Sequence, residues 1–346
     1  MKGIELSHLT YLEAAVVGLI QGVSELFPVS SLGHAVLIPA LIGGQWGADL
    51  DVSKAESPYL AFIVGLHVAT ATALLVYFWR DWVRIVGGFA SSLRERRVET
   101  ADQRLAWMIV LATIPVGVVG LVAEHPFRVI FGKPVLAGAF LAVNGVILIA
   151  GEKFRRRASL DADARIAAGR RAELVAVGGG MAADGRMTAM APAPATAPAA
   201  GTVPAGTGPA AAVMADRRLS AMGYGRAIVI GSAQILALLA GISRDGVTMV
   251  AGMRRGLSRV DAARFAFLLS TPVILAAGVL KIPDLFGPLG QGIRGQIVLG
   301  SVLSGLGAYA AIRFLVRYLQ TRSLVPFGIY CLVAGLASVA YLGLVK

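Results

Sequence analysis

The chain has 346 residues, of which 56% are hydrophobic and only 15% charged, and its mean hydropathy is +0.73. A soluble domain carries charge on about a quarter of its residues, so these figures exclude a soluble globular enzyme and a disordered chain alike. The formal charge of +12 would suit nucleic acid, but beside such an apolar excess it reads as basic loops at a membrane surface, with no nucleic-acid partner. A single cysteine, Cys331, leaves no intramolecular disulfide and no cysteine-rich metal site.

Glu5 and Glu13 stand where a signal peptide would carry positive charge, so the N-terminus is expected to be retained. The first apolar stretch, 11–43, is interrupted by Glu13, Gln21, Glu25, Pro28, Ser30, Ser31, Gly33 and His34. Polar, irregular backbone survives at membrane depth only when buried in protein or lining a cavity, so a re-entrant helical hairpin turning at Pro28 is predicted. Three spans near the length needed to cross a bilayer follow at 59–79, 105–123 and 134–151, stopped by Arg80 and Asp81, by Glu124, and by Glu152 and Lys153. In 176–215, Ala, Gly and Pro supply 27 of 40 residues without periodicity. That composition cannot bury a core, so 155–222 is expected to be a disordered cytoplasmic insertion. A second interrupted stretch, 226–257, contains Gln234, Gly241, Ser243, Arg244, Asp245 and Arg254 and predicts a second hairpin; spans at 263–280, 296–316 and 325–345 complete the chain.

Gly18, Gln21, Ser30 and Gly33 match Gly231, Gln234, Ser243 and Gly246 at one offset of 213. Each hairpin is followed by three spans, so a second copy must lie upside down. The expected fold is an all-α polytopic membrane protein with an inverted-topology repeat, 1–154 and 223–346, each half one re-entrant hairpin plus three transmembrane helices. With both termini outside, 24 of the 32 basic residues fall on the cytoplasmic side and seven on the outer side, as the positive-inside rule requires. The two hairpin tips then meet near the bilayer midplane.

Pooling those tips gathers Gln21, Glu25, Ser30, Ser31, His34, Ser243, Arg244, Asp245 and Thr248. An intramembrane ionisable residue is a functional-site hypothesis by default. A Glu25–Arg244 pair alone would serve as a structural tie, but hydroxyls and an imidazole have no structural reason to gather round it. The set suits phosphoryl transfer: the arginine clamps phosphate, the carboxylate holds a cation or takes a proton, and serine or histidine supplies nucleophile or base. Plainer roles fit other residues. His67 reads as a packed or helix-capping histidine, Asn144 as an interhelical hydrogen bond, and Gly117, Gly120, Gly138 and Gly145 as helix-packing positions.

The stretch from Gln21 to His34, with Glu25, Pro28, Ser30, Ser31 and Gly33, resembles the first signature of the undecaprenyl-diphosphate phosphatase (bacitracin-resistance) family, an acid pair followed by Pro-x-Ser-Ser-x-Gly-His. The stretch Ala240–Thr248 resembles the second, Pro-Gly-x-Ser-Arg-Ser-x-x-Thr. The resemblance implies hydrolysis of undecaprenyl diphosphate to undecaprenyl phosphate, recycling the cell-wall lipid carrier in the bacterial inner membrane, with a pocket open to the outer face. It implies Glu25, Ser31, His34 and Arg244 as catalytic residues, and Gln21, Ser30, Ser243, Arg244 and Thr248 as substrate contacts. It also implies a divalent cation, Mg²⁺ or Ca²⁺, on Glu25. Ala240 and Leu32 depart from the usual proline and threonine. Asp245 replaces a usual serine, and is read either as a further metal ligand or as a residue that weakens phosphate binding. The expected partners are the polyprenyl diphosphate lipid and the bilayer; a homodimer is left open. Two rivals stand beside this reading. Inverted repeats with broken segments also make transporters, so a flippase of the lipid phosphate is one. A phosphatidic-acid-type phosphatase is the other, and the absence of any histidine after Ser243-Arg244 counts against it.

Overall fold

A computed structural model describes residues 9–50, 58–131, 133–180, 209–287 and 290–344, and all regular structure among them is helical. The first interrupted stretch folds as α1 (Tyr11–Leu26) and α2 (Ser31–Ile42). A capping box starts α1: the Thr10 hydroxyl accepts the Glu13 N–H at 3.2 Å while the Glu13 carboxylate accepts the Thr10 N–H at 2.7 Å. Pro28 stops it, because the residue before a proline is driven to extended backbone, and Phe27 sits at φ −67°, ψ 143°. A short α3 (Gly44–Asp49) follows, then α4 (Pro58–Tyr77), α5 (Trp79–Glu95), α6 (Ala101–Phe131) and α7 (Pro134–Gly180). After α8 (Pro209–Ser220), the second interrupted stretch forms α9 (Tyr224–Ser232), a 3-10 segment (Ala233–Leu238) and α10 (Arg244–Arg254); α11 (Arg259–Phe286), α12 (Arg294–Thr321) and α13 (Val325–Leu344) close the chain.

Among the described residues, α6, α7, α11, α12 and α13 are long and apolar enough to cross a bilayer, and two bent helix pairs would bring the total to seven. These five cover five of the predicted spans. The sixth, 59–79, is α4, whose 20 residues measure about 30 Å. The chain bends by 86° beyond it and runs on as α5. That helix turns Asp81, Ile85 and Ser92 inward.

In the bundle α1 packs on α12, α9 on α6, α7 on α13, and α4 on both α11 and α12. Small residues let backbones approach closely. A Cβ added at Gly145 would lie 2.6 Å from the Leu332 nitrogen, and one at Gly138 would lie 3.1 Å from Val339. Gly117 and Gly120 differ from expectation: a Cβ at either meets nothing within 4 Å, so they serve no close contact among the described residues.

The expected disordered insertion also requires correction. Residues 155–180 continue α7, and 209–220 form α8; the part of this segment at 181–208 lies outside the described residues. The composition gave no hint of one buried acid. Asp216 on α8, 1% exposed, meets Arg84 of α5 at 2.5 Å and Arg264 of α11 at 2.8 Å. Arg84 also holds Asp81 (2.7 Å) and Asp102 (3.1 Å), Arg264 reaches Asp81 (3.1 Å), and Arg218 holds Asp261 (2.7 Å). A buried carboxylate is tolerated only when paired, and this network fastens α8 to the bundle.

Candidate active site

Two serine-capped turns build the site. At the first, the Ser30 hydroxyl accepts the Gly33 N–H (3.2 Å) and starts α2; at the second, the Ser243 hydroxyl accepts the Gly246 N–H (3.1 Å) and starts α10. Ser30 adopts φ 66°, a conformation rare for a residue with a side chain. The turns touch backbone to backbone: a Cβ on Gly33 would lie 2.9 Å from Gly241 Cα. Gly241 itself has φ 111°, where any side chain is strained. Between them stands the wholly buried Asn144 of α7. Its Nδ2 donates to the Pro28 carbonyl at 2.9 Å and lies 3.4 Å from Cys331 Sγ, and its Oδ1 accepts the Ser243 N–H at 3.1 Å.

Glu25 is the hub. Its Oε2 accepts from Gln21 Nε2 (2.8 Å) and Ser31 Oγ (2.5 Å), and its Oε1 is paired with Arg244 Nη2. His67 Nε2 lies 3.4 Å from the carboxylate and 3.3 Å from the Gln21 amide, while its Nδ1–H donates to the Ile63 carbonyl at 2.9 Å. That donation orients the ring and turns Nε2 toward Gln21 and Glu25. Gln21, Ser31, His34, Ile38 and Tyr59 line a narrow cleft beside this hub. A larger cavity lies elsewhere, lined by Tyr77, Arg84, Arg264 and Gln320 among others, and no residue of either motif faces it.

The structure brings Gln21, Glu25, Ser31 and Arg244 together as the sequence predicted. His34 shares their cleft but bonds elsewhere: Nδ1–H donates to the Ser30 carbonyl (2.7 Å), and Nε2 meets the Tyr330 hydroxyl (2.7 Å), with the two rings stacked at 5.8 Å. Ser30 and Ser243 use their hydroxyls as helix caps, and Thr248 donates to the Arg244 carbonyl at 2.7 Å. Asp245 is turned to α11. One oxygen accepts the Ser270 hydroxyl, the other is buried without a partner, and among the described residues no group of three or more His, Cys, Asp or Glu is arranged to hold a metal ion. His67 corrects the reading of a merely packed histidine. An imidazole midway along an apolar span is itself an intramembrane ionisable group, and that rule was its available signal. Nothing in the sequence pointed to Tyr330.

These features define a multi-pass helical membrane protein with an acid–base cluster buried where two helix starts meet. The chain matches the family described as bacitracin resistance protein BacA over residues 14–337. It is 57% identical over 338 residues to the undecaprenyl-diphosphatase of Mycolicibacterium paratuberculosis, covering 98% of this chain and 99% of that protein. It is 50% identical over 371 aligned residues to undecaprenyl-diphosphatase 1 of Frankia casuarinae, covering 98% and 100%. It is 36% identical over 335 residues to undecaprenyl-diphosphatase 2 of Chromobacterium violaceum, covering 95% and 98%. The chain belongs to the bacitracin resistance protein BacA family and is a membrane enzyme.

Proposed function

We propose that this enzyme hydrolyses undecaprenyl diphosphate to undecaprenyl phosphate and inorganic phosphate, the activity its relatives are named for. The observation that carries the reading is the meeting of Glu25 and Ser31 from one motif with Arg244, 219 residues beyond Glu25, from the other. A diphosphate offers Arg244 pairs of charged oxygens that the planar guanidinium fork can grip two at a time. The N-termini of α2 and α10 add backbone N–H groups favourable to an anion. When Arg244 turns to the phosphate, Glu25 is freed to take the Ser31 proton. Ser31 Oγ then attacks the terminal phosphorus, the bond to the bridging oxygen breaks, and the lipid monophosphate leaves. Water hydrolyses the phosphoserine, restoring the serine and releasing phosphate. Gln21 donates to the carboxylate and holds it in line, with His67 beside both, and His34 in the same cleft is the alternative phosphate acceptor.

A divalent cation, Mg²⁺ or Ca²⁺, fits this donor set as an ion shared with the substrate. Magnesium is commonly bound by one or two carboxylates plus substrate phosphates, and Glu25 is the carboxylate for that role. When bound it neutralises charge on the diphosphate. Asp245, engaged with Ser270, is the weaker candidate for a second ligand.

Three observations support the inverted repeat of re-entrant hairpins. Hairpin helix α1 packs on α12, and α9 packs on α6, so each hairpin rests on the second span of the other half. The matched glycines Gly18 and Gly231 sit at those two contacts, against Gly300 and Ala112. The matched serines Ser30 and Ser243 both cap the helix that follows. With the charge bias, these observations support a reading in which the termini lie outside and the cleft opens to the outer face of the cytoplasmic membrane, where hydrolysis would recycle the lipid carrier and bacitracin resistance would follow. Purified protein in detergent should release inorganic phosphate from undecaprenyl diphosphate. A lipid-phosphate carrier would release none, and that result would replace the reading with the flippase.

A further inference from the structure

The hub depends on two turns far apart in sequence, and each is fixed by contacts from outside its own helix. Glu25 and Ser31 flank the first turn, and Arg244 follows the second. The Asn144 side chain hydrogen-bonds the backbones of both. Its carboxamide is oriented without ambiguity, because a carbonyl lies on one side and an N–H on the other. It is 0% exposed, so no water replaces a bond that is lost. Neither turn satisfies those groups alone: the Pro28 carbonyl has the Asn144 amide and the Cys331 thiol (3.7 Å), and the Ser243 N–H has Asn144.

We infer that Asn144 is a positioning residue for the reaction: it sets the register of the Pro28 turn against the Ser243 turn and thereby the distance from Ser31 and Glu25 to Arg244. The inference rests on the phosphatase reading for its kinetic consequence, but the geometry stands independently. A displacement of about 1 Å between reacting groups costs on the order of 10²-fold in rate. Binding of a long lipid is spread over much more surface, so the effect belongs in kcat and not in KM.

Two variants separate positioning from general damage. Asn144→Ala removes both bonds and should lower kcat about 10- to 100-fold with KM changed less than about threefold. Asn144→Asp keeps the shape. In its neutral acid form it donates to the Pro28 carbonyl and accepts from Ser243; ionised, it loses the donor and sets a charge against a carbonyl. Its rate relative to wild type should therefore fall as pH rises, and a loosened bundle would show no such dependence. Amide hydrogen exchange gives a readout independent of substrate: in Asn144→Ala, exchange at 241–246 should quicken while the rest of α7 and α10 keep wild-type protection. If wild type releases no phosphate, the functional reading fails and the exchange measurement still judges the pin. Wild-type kcat in Asn144→Ala, a flat pH ratio in Asn144→Asp with active wild type, or unchanged exchange at 241–246 would each overturn the inference.

Discussion

Two of the clusters of buried charge among the described residues are built differently. Around Asp81 and Asp216 every acid is met by arginine: Arg84 and Arg264 each reach both, and their spare donors are used on Asp102 and on one another's partners. Around Glu25 one arginine meets one carboxylate, and the remaining partners are a hydroxyl, an amide and an imidazole beside a cleft. The first cluster is a closed tie between α5, α8 and α11. The second holds groups able to exchange protons and an arginine that a phosphate can take. Buried charge alone therefore does not mark a site; the presence of polar groups beyond what pairing requires does.

Substitutions can break this comparison, beginning with the greatest expected loss of activity. Glu25→Gln should reduce phosphate release more than about 10³-fold, the upper part of the range for a lost acid–base group, while the protein still inserts and purifies. A near-normal rate would return Glu25 to the class of structural ties. Arg244→Lys keeps the charge but loses the planar fork, and should cost on the order of 10²–10³-fold. A mild effect would show that charge alone suffices. His67→Ala should cost roughly 10²-fold; no change would restore the packed-histidine reading. Asp216→Asn should instead leave the rate per folded molecule unchanged and lower stability by about 1–3 kcal/mol, because Arg84 and Arg264 lose a shared partner. Thermal unfolding in detergent measures it, and a lost rate with intact stability would join the two clusters functionally. Least of all, Gln234→Leu should preserve activity and gain up to about 1 kcal/mol, since both amide atoms of this buried residue lack a partner. Loss of turnover there would show that Gln234 serves the site as its matched residue Gln21 does.

The long helices were legible because a span is a matter of length and apolarity, which neighbours do not alter. The hub was legible as far as its residues lay in the two motifs: Gln21, Glu25, Ser31 and Arg244 meet as expected. What composition could not show was partnership across the chain. Asp216 sits in an Ala-rich stretch whose helix is held by arginines 132 residues before it and 48 after, and no local pattern encodes that. Tyr330 and Asn144 reach the turns from α13 and α7, again through contacts that only the assembled bundle creates. Arg80 and Asp81 do mark the end of the span α4, but nothing in them announced that the chain bends by 86° and runs on as α5.

The contact between Gly33 and Gly241 bears on the choice between catalyst and carrier. Moving a substrate across a membrane by alternating access needs a surface that slides or parts through the binding site. Here the corresponding surface is a seam of bare backbone, with a Cβ-sized gap already absent at Gly33 and with Asn144 fastened on both sides of it. Parting it would open a void and break the Asn144 bond to one turn or the other, at about 1–3 kcal/mol for the buried group that loses its partner. On the proposed reading such a seam acts as an anvil: the lipid headgroup is cut against a surface that does not yield.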